Sequence, residues 1–228
     1  MRYSFPATPP RFLAALLALL LLAGLAACKS TPPREPGIYR DPDLAELIKL
    51  DPTIRPDIRY ATPNNFTGHP LYDQARAFLQ KPAAEALARA NQALRAEGYG
   101  ILVYDAYRPW SVTKEIWDSA NDTERRIGFV ANPRVGSKHN RGCAVDVGLY
   151  DLETGLEVKM PSGYDEFSER AHPNYAASAP GEIKARDLLR RTMEAEGFTV
   201  DPNEWWHFNY KDWREYRLMD IGFKDLAR

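Results

Sequence analysis

The chain has 228 residues, 27% of them charged and 11% aromatic, with a formal net charge of −1. Nothing in this near-neutral balance, which has no block of like charge, points to a polyanion-binding surface, so no nucleic acid partner is expected. Two cysteines are too few for a disulfide framework, and the fold must rest on its apolar core.

Residues 1–27 read as an export signal. Arg2 and Arg11 supply positive charge, and Phe12 to Ala27 is an almost unbroken apolar run. Its length suits a signal segment and falls short of a membrane span. The run ends in Leu25-Ala26-Ala27-Cys28, which resembles the lipobox of bacterial lipoproteins, whose cysteine is lipidated and becomes the new N-terminus. The alternative is an ordinary secretory signal that ends near a cysteine. The small residues before Cys28 and the polar, proline-rich stretch Lys29 to Pro36 favour the lipobox. An exported, periplasmic protein anchored to the membrane by lipid is therefore expected. Lysine rather than aspartate at position 29 resembles the sorting pattern of outer-membrane lipoproteins. Without the two arginines of the signal, 28 basic and 31 acidic side chains remain, a formal charge of −3. With Cys28 acylated, Cys143 is the one remaining thiol, expected as a small buried residue.

Residues 28–43 read as a flexible tether. Residues 44–228 then make one domain of ordinary size. Asp51 to Thr67 carries scattered prolines and asparagines and predicts short strands and loops. Leu71 to Gln80 has helical spacing at Leu71, Ala75, Phe78 and Leu79. Ala83 to Glu97 predicts a helix with Leu87, Ala90 and Leu94 on one face and Gly98 as its stop. Ile101 to Tyr104 reads as a strand, and Ser111 as the cap of a helix to Ala120. Ala144 to Leu149 alternates as a strand, and Glu182 to Glu196 is helical up to Gly197. Phe198 to Val200 and Trp205 to Tyr210 read as a closing pair of strands. No βαβ rhythm appears. The prediction is a single α+β domain with a small, mainly antiparallel sheet flanked by helices.

The chain has four histidines, and two of them lie in segments that carry chemistry. His139 stands in Ser137-Lys138-His139-Asn140-Arg141-Gly142-Cys143-Ala144-Val145-Asp146, and His207 in Glu204-Trp205-Trp206-His207. A catalytic zinc takes three protein ligands and leaves one position open. His139, Asp146 and His207 would make such a set, and Glu204 is the candidate base beside it. On the predicted strand Asp146 shares a face with Ala144 and Gly148, opposite Val145, Val147 and Leu149. Glu204 lies three residues before His207, which would turn it to the other face of an ideal strand. A bend at Asp201-Pro202-Asn203 is therefore expected to bring it back. His69 and His172 read as surface or structural residues. In Asp105-Ala106-Tyr107-Arg108-Pro109 the arginine ends a strand and could meet a carboxylate or an oxyanion, with Asp105 orienting it. A plain surface arginine before a proline turn stands beside that reading.

Taken together, Ser137 to Asp146, Glu204 to His207 and Asp105 to Pro109 resemble the zinc D-alanyl-D-alanine dipeptidases known from vancomycin resistance. That group shares its fold with the Hedgehog signalling domain. The likeness extends from about Leu44 to Gly222, and Asn64 to Gly68 and Tyr164 to Arg170 resemble the dipeptidase branch. It implies one zinc per chain on His139, Asp146 and His207. It further implies Glu204 as general base and acid, and Arg108 as the residue that stabilises the transition state. Asp165 would receive the ammonium of a small dipeptide, with Ser137 and Tyr60 as further substrate-binding candidates. A peptidoglycan D,D- or L,D-carboxypeptidase or endopeptidase of the same fold is the nearest rival. A non-catalytic zinc-containing lipoprotein that binds cell wall is another, which Glu204 and Arg108 disfavour because a binder needs neither. Oligomeric state is not legible in the sequence.

Overall fold

The computed structural model describes Met1 and residues 31–226, so Cys28 and the export segment lie outside the described residues. In chain order the elements are β1 (Leu44–Glu46), α1 (Leu47–Leu50), β2 (Arg55–Pro56), β3 (Phe78–Gln80) and α2 (Lys81–Ala96). Then come β4 (Tyr99–Asp105), α3 (Trp110–Ser119), α4 (Asp122–Ile127), β5 (Ala144–Asp151), α5 (Pro180–Ala195), β6 (Phe198–Val200) and β7 (His207–Tyr210). Five strands form a sheet in the order β2-β4-β5-β7-β6, parallel at β2–β4 and antiparallel elsewhere. β1 and β3 pair separately. Helices α2 and α5 pack on each other and on the sheet. The expected α+β class with a small, mainly antiparallel sheet is the observed one.

The apolar run in β4 and the alternating run in β5 become the two long central strands. Val145, Val147 and Leu149 are fully buried on one face of β5, which leaves Asp146 on the other. Two details of register position the site. Asp146 and His207 are directly paired across β5 and β7. A bulge in β4 between Val103 and Asp105 then sets Asp105 opposite Asp146. Bulges re-aim side chains in this way. Asp105, Asp146 and His207 thus form one row across three neighbouring strands.

Four sequence expectations need correction or addition. Leu71 to Gln80 is not helical. Its first amides, Leu71 and Tyr72, both donate to the Tyr60 carbonyl, and its last three residues pair with β1. Ser111 does not cap α3. Pro109 stands at the cap position, and the Asp220 carboxylate accepts from the Ser111 amide at 2.8 Å and from its hydroxyl. The closing strand begins at His207, because Trp205 and Trp206 lie in the preceding turn. The unforeseen helix α4 carries a capping box, Asn121 with Glu124, that is readable in the sequence.

The predicted tether is held from Glu35 onward. Its carboxylate makes a two-pronged pair with Arg141 and accepts from the Leu218 amide at 3.0 Å. The Arg40 amide donates to the Glu215 carbonyl, and Arg217 to the carbonyl of Gly37. Arg141 is buried, so removing Glu35 takes away its carboxylate partner and leaves the guanidinium with the Tyr216 carbonyl. Glu35→Ala should cost about 2 kcal/mol, less than the ~3–5 kcal/mol of a fully buried pair because Glu35 is partly exposed. Thermal melting should show a midpoint lower by about 4–8 °C.

Cys143 is fully buried, and burial pushes its thiol up to about 12. Iodoacetamide should therefore leave Cys143 unmodified in the folded protein and label it only after denaturation, as read by mass spectrometry of its peptide.

Candidate active site

His139 reaches the row of β-strand residues from a short 3₁₀ turn, His139–Arg141, that precedes β5. Gly142 ends this turn at φ +69°, and a Cβ there would lie 2.6 Å from the Leu44 side chain. Only glycine fits both the backbone and the space. Buried Gln80 locks the turn by donating to the Arg141 carbonyl at 2.9 Å, while its own amide donates to Gly142.

Three ligand atoms converge. His139 Nε2 lies 3.1 Å from His207 Nδ1 and 3.3 Å from Asp146 Oδ1, and the last two are 3.0 Å apart. A tetrahedral ion with bonds of about 2.0–2.1 Å requires ligand atoms roughly 3.3–3.4 Å apart. The opposite nitrogens set the tautomers. His139 Nδ1 faces the Ala106 carbonyl at 2.7 Å, and His207 Nε2 faces Asn209 Oδ1 at 2.8 Å. With protons on those outer nitrogens, both inner nitrogens present lone pairs. Asp146 Oδ1 is buried and has no hydrogen bond of acceptable geometry, although both imidazoles are near. Two lone pairs and an orphaned carboxylate oxygen meeting at one point fit a divalent cation, and the donor set suits zinc.

The charges show the same bias towards a cation. Burial opposes an imidazolium at His207, yet the adjacent Asp146 carboxylate outweighs it and raises its pKa to about 9. Burial also works against the Asp146 carboxylate, but His139 and His207 hold it well below the ordinary range. Glu204 lies at the predicted bend, with its Oε2 3.7 Å from His207 Nδ1. Burial drives its pKa up to about 8, opposed by His207 and assisted by Asp146. A bound cation would draw these acids back towards ionisation.

Arg108 is buried and clamped. Its Nε and Nη2 donate to Asp105 Oδ2 at 2.9 and 2.7 Å, and Asp105 Oδ1 accepts from Tyr72 and the Ala106 amide. The other edge of the guanidinium is the part available to a ligand, and Arg108 lines the same cavity as the metal cluster. That cavity, about 270 Å³, also admits Glu204, Asp165, Tyr60 and Ser137. Phe66, Phe129, Val130 and Ile116 form its apolar wall. Tyr60 donates to Asp165 Oδ2 at 3.0 Å. Burial, and then the charge of Asp146, lift the Asp165 carboxyl to about 7. Ser137 Oγ accepts from the His139 amide at 3.2 Å.

The expected ligands His139, Asp146 and His207 therefore line one cavity with Glu204, Arg108, Asp165, Ser137 and Tyr60, while Asp105 stands behind Arg108. His69 and His172 are exposed, as expected. Sequence reasoning missed the outer partners Asn209, Tyr72 and Tyr164. Asn209 could have been found two residues beyond His207 on the same strand face; Tyr164 heads the Tyr164 to Arg170 stretch already singled out, and Tyr72 left no local signal.

A His-Asp-His donor set beside an acid and a clamped arginine defines a centre of the metallopeptidase class. The chain belongs to the D-Ala-D-Ala dipeptidase family of M15 peptidases, whose profile matches residues 41–220. It is similar to the D-alanyl-D-alanine dipeptidase of Escherichia coli (strain K12), at 34% identity over 79% of this chain and 91% of that one. The D-alanyl-D-alanine dipeptidase of Enterococcus faecium is 36% identical over 70% of this chain and 87% of its own. Among solved structures, the LdcB LD-carboxypeptidase aligns over 80% of this chain and 77% of its own, with a TM-score of 0.45 at 21% identity. That last likeness is too distant to bear on function.

Proposed function

We propose that this protein is a zinc-dependent dipeptidase that cleaves D-Ala-D-Ala into two D-alanines. The observation that carries the proposal is the meeting of the cation-ready triad with Glu204, Arg108 and Asp165 in one cavity. Dipeptidase relatives that match over most of their length favour the free dipeptide as substrate.

His139, Asp146 and His207 would hold the zinc, one per chain. Bound there, the ion would polarise the scissile carbonyl and acidify an attacking water. Glu204 takes the proton from that water and delivers it to the leaving amine nitrogen. Arg108 faces the carbonyl oxygen as negative charge develops on it, held in place by Asp105 rather than reorganised at the moment of reaction. Asp165, backed by Tyr60, pairs with the substrate ammonium, and Ser137 lines the cavity beside it. A longer peptide has no ammonium at that position and would leave the Asp165 carboxylate unpaired, which is costly.

Acetylating the dipeptide tests this directly. N-acetyl-D-Ala-D-Ala and a pentapeptide ending in D-Ala-D-Ala should be cleaved at least about 10²-fold more slowly than D-Ala-D-Ala, the scale set by burying an unpaired charge. Equal or faster release of D-alanine from the pentapeptide would move the function to wall trimming. Anchoring at Cys28 and a periplasmic, outer-membrane location belong to this proposal on the strength of the lipobox-like sequence. Among the described residues no helix is long and apolar enough to cross a membrane. Mass spectrometry of the N-terminal peptide from bacterial cells checks the anchor; an unmodified Cys28 would remove it.

A further inference from the structure

Each triad residue has an outer partner, and the one on Asp146 comes from outside the sheet. Tyr164 donates its hydroxyl to Asp146 Oδ2 at 3.1 Å, while Oδ1 of the same carboxylate faces the two imidazoles. A phenol has a single O–H, and this one is directed at the ligand oxygen that does not face the triad. The ring is held on three sides by other aromatics. It packs against Tyr104 at 4.9 Å between centroids, Trp206 at 5.6 Å and Tyr60 at 6.5 Å. Tyr104 itself crosses over Gly148 on β5, where any Cβ would come within 2.1 Å of its hydroxyl. The next residue, Asp165, has φ +54°, a conformation costly for a side-chain-bearing residue unless its surroundings enforce it. Its carboxylate is fixed by Tyr60. Two adjacent residues of one loop thus hold a ligand of the triad and a carboxylate of the cavity.

We infer that Tyr164 is a positioning residue for the metal centre. Its hydrogen bond fixes the rotation of the Asp146 carboxylate, so that Oδ1 is presented to the ion and Oδ2 is not. The inference rests on His139, Asp146 and His207 being the metal site. Without the bond, Asp146 is free to rotate or to bind through both oxygens. Loss of an outer hydrogen-bond partner typically weakens metal binding about 10–100-fold.

Tyr164→Phe is the test, because it keeps the packed ring and removes only the hydroxyl. Zinc affinity of the purified protein is measured by competition with a chromophoric chelator, and the visible spectrum is recorded after cobalt substitution. The expected result is zinc binding weakened about 10-fold or more, with a changed cobalt spectrum and a melting temperature of the metal-free protein close to wild type. A residue that merely packs would leave affinity and spectrum unchanged, and that result overturns the inference. A His139→Ala control separates the two levels of the proposal. If wild type and His139→Ala bind zinc equally, the metal site itself is misplaced and the inference falls with it.

Discussion

Replacing Glu204 by glutamine is expected to lower kcat by about 10³-fold while zinc stays bound. The amide keeps the size and shape of the side chain but cannot accept a proton from water at neutral pH. Glu204 lies in the bend before β7 and lines the cavity, with its carboxylate 3.7 Å from His207. It is not one of the three converging ligand atoms. Metal content by atomic spectroscopy should therefore match wild type, while D-alanine release almost vanishes. A variant that loses zinc in proportion to activity would make Glu204 a ligand or a support of one, and the proposed proton transfer would need another residue.

Substituting Arg108 by alanine should have two separable effects. In catalysis, losing a preorganised donor to a developing oxyanion costs about 10²–10³-fold in kcat. In stability, the loss comes from Asp105, a fully buried carboxylate that would keep only the Tyr72 hydroxyl and the Ala106 amide. Breaking a buried ion pair by removing one partner costs about 3–5 kcal/mol, which denaturant melts of the metal-free protein would register. Arg108→Lys should restore part of the stability and little of the rate, because an ammonium cannot reproduce the two bonds now made from Nε and Nη2. Full recovery of rate in the lysine variant would mean that only a positive charge is required.

The central strands β4 and β5 and the long helices were legible because their periods are local. Gly98 and Gly197 punctuate α2 and α5, and the alternation of β5 announces which face holds Asp146. The triad and Glu204 were legible because residue types with one shared chemistry recur in two short segments. The turn before β7 could be anticipated from the mismatch between a spacing of three and a strand period of two. What depends on distant partners was not legible. The helical spacing from Leu71 to Leu79 yields to pairing with β1, and α3 takes its N-terminal acceptor from Asp220, 109 residues beyond Ser111. The same holds for the Glu35–Arg141 clamp, which joins a proline-rich segment to a buried arginine 106 residues on. The bulge that sets Asp105 beside Asp146 leaves no mark in the β4 sequence, since Tyr104 is as good a strand former as its neighbours.

The most direct test of the central claim follows D-alanine release from D-Ala-D-Ala by protein stripped with a chelator and then titrated with zinc. The stripped protein is predicted to be inactive. Activity should rise linearly and reach its plateau at one zinc per chain, as the one such site among the described residues, His139–Asp146–His207, requires. Undiminished release by the stripped protein, or no release at any zinc level, would contradict a zinc dipeptidase built on these three residues.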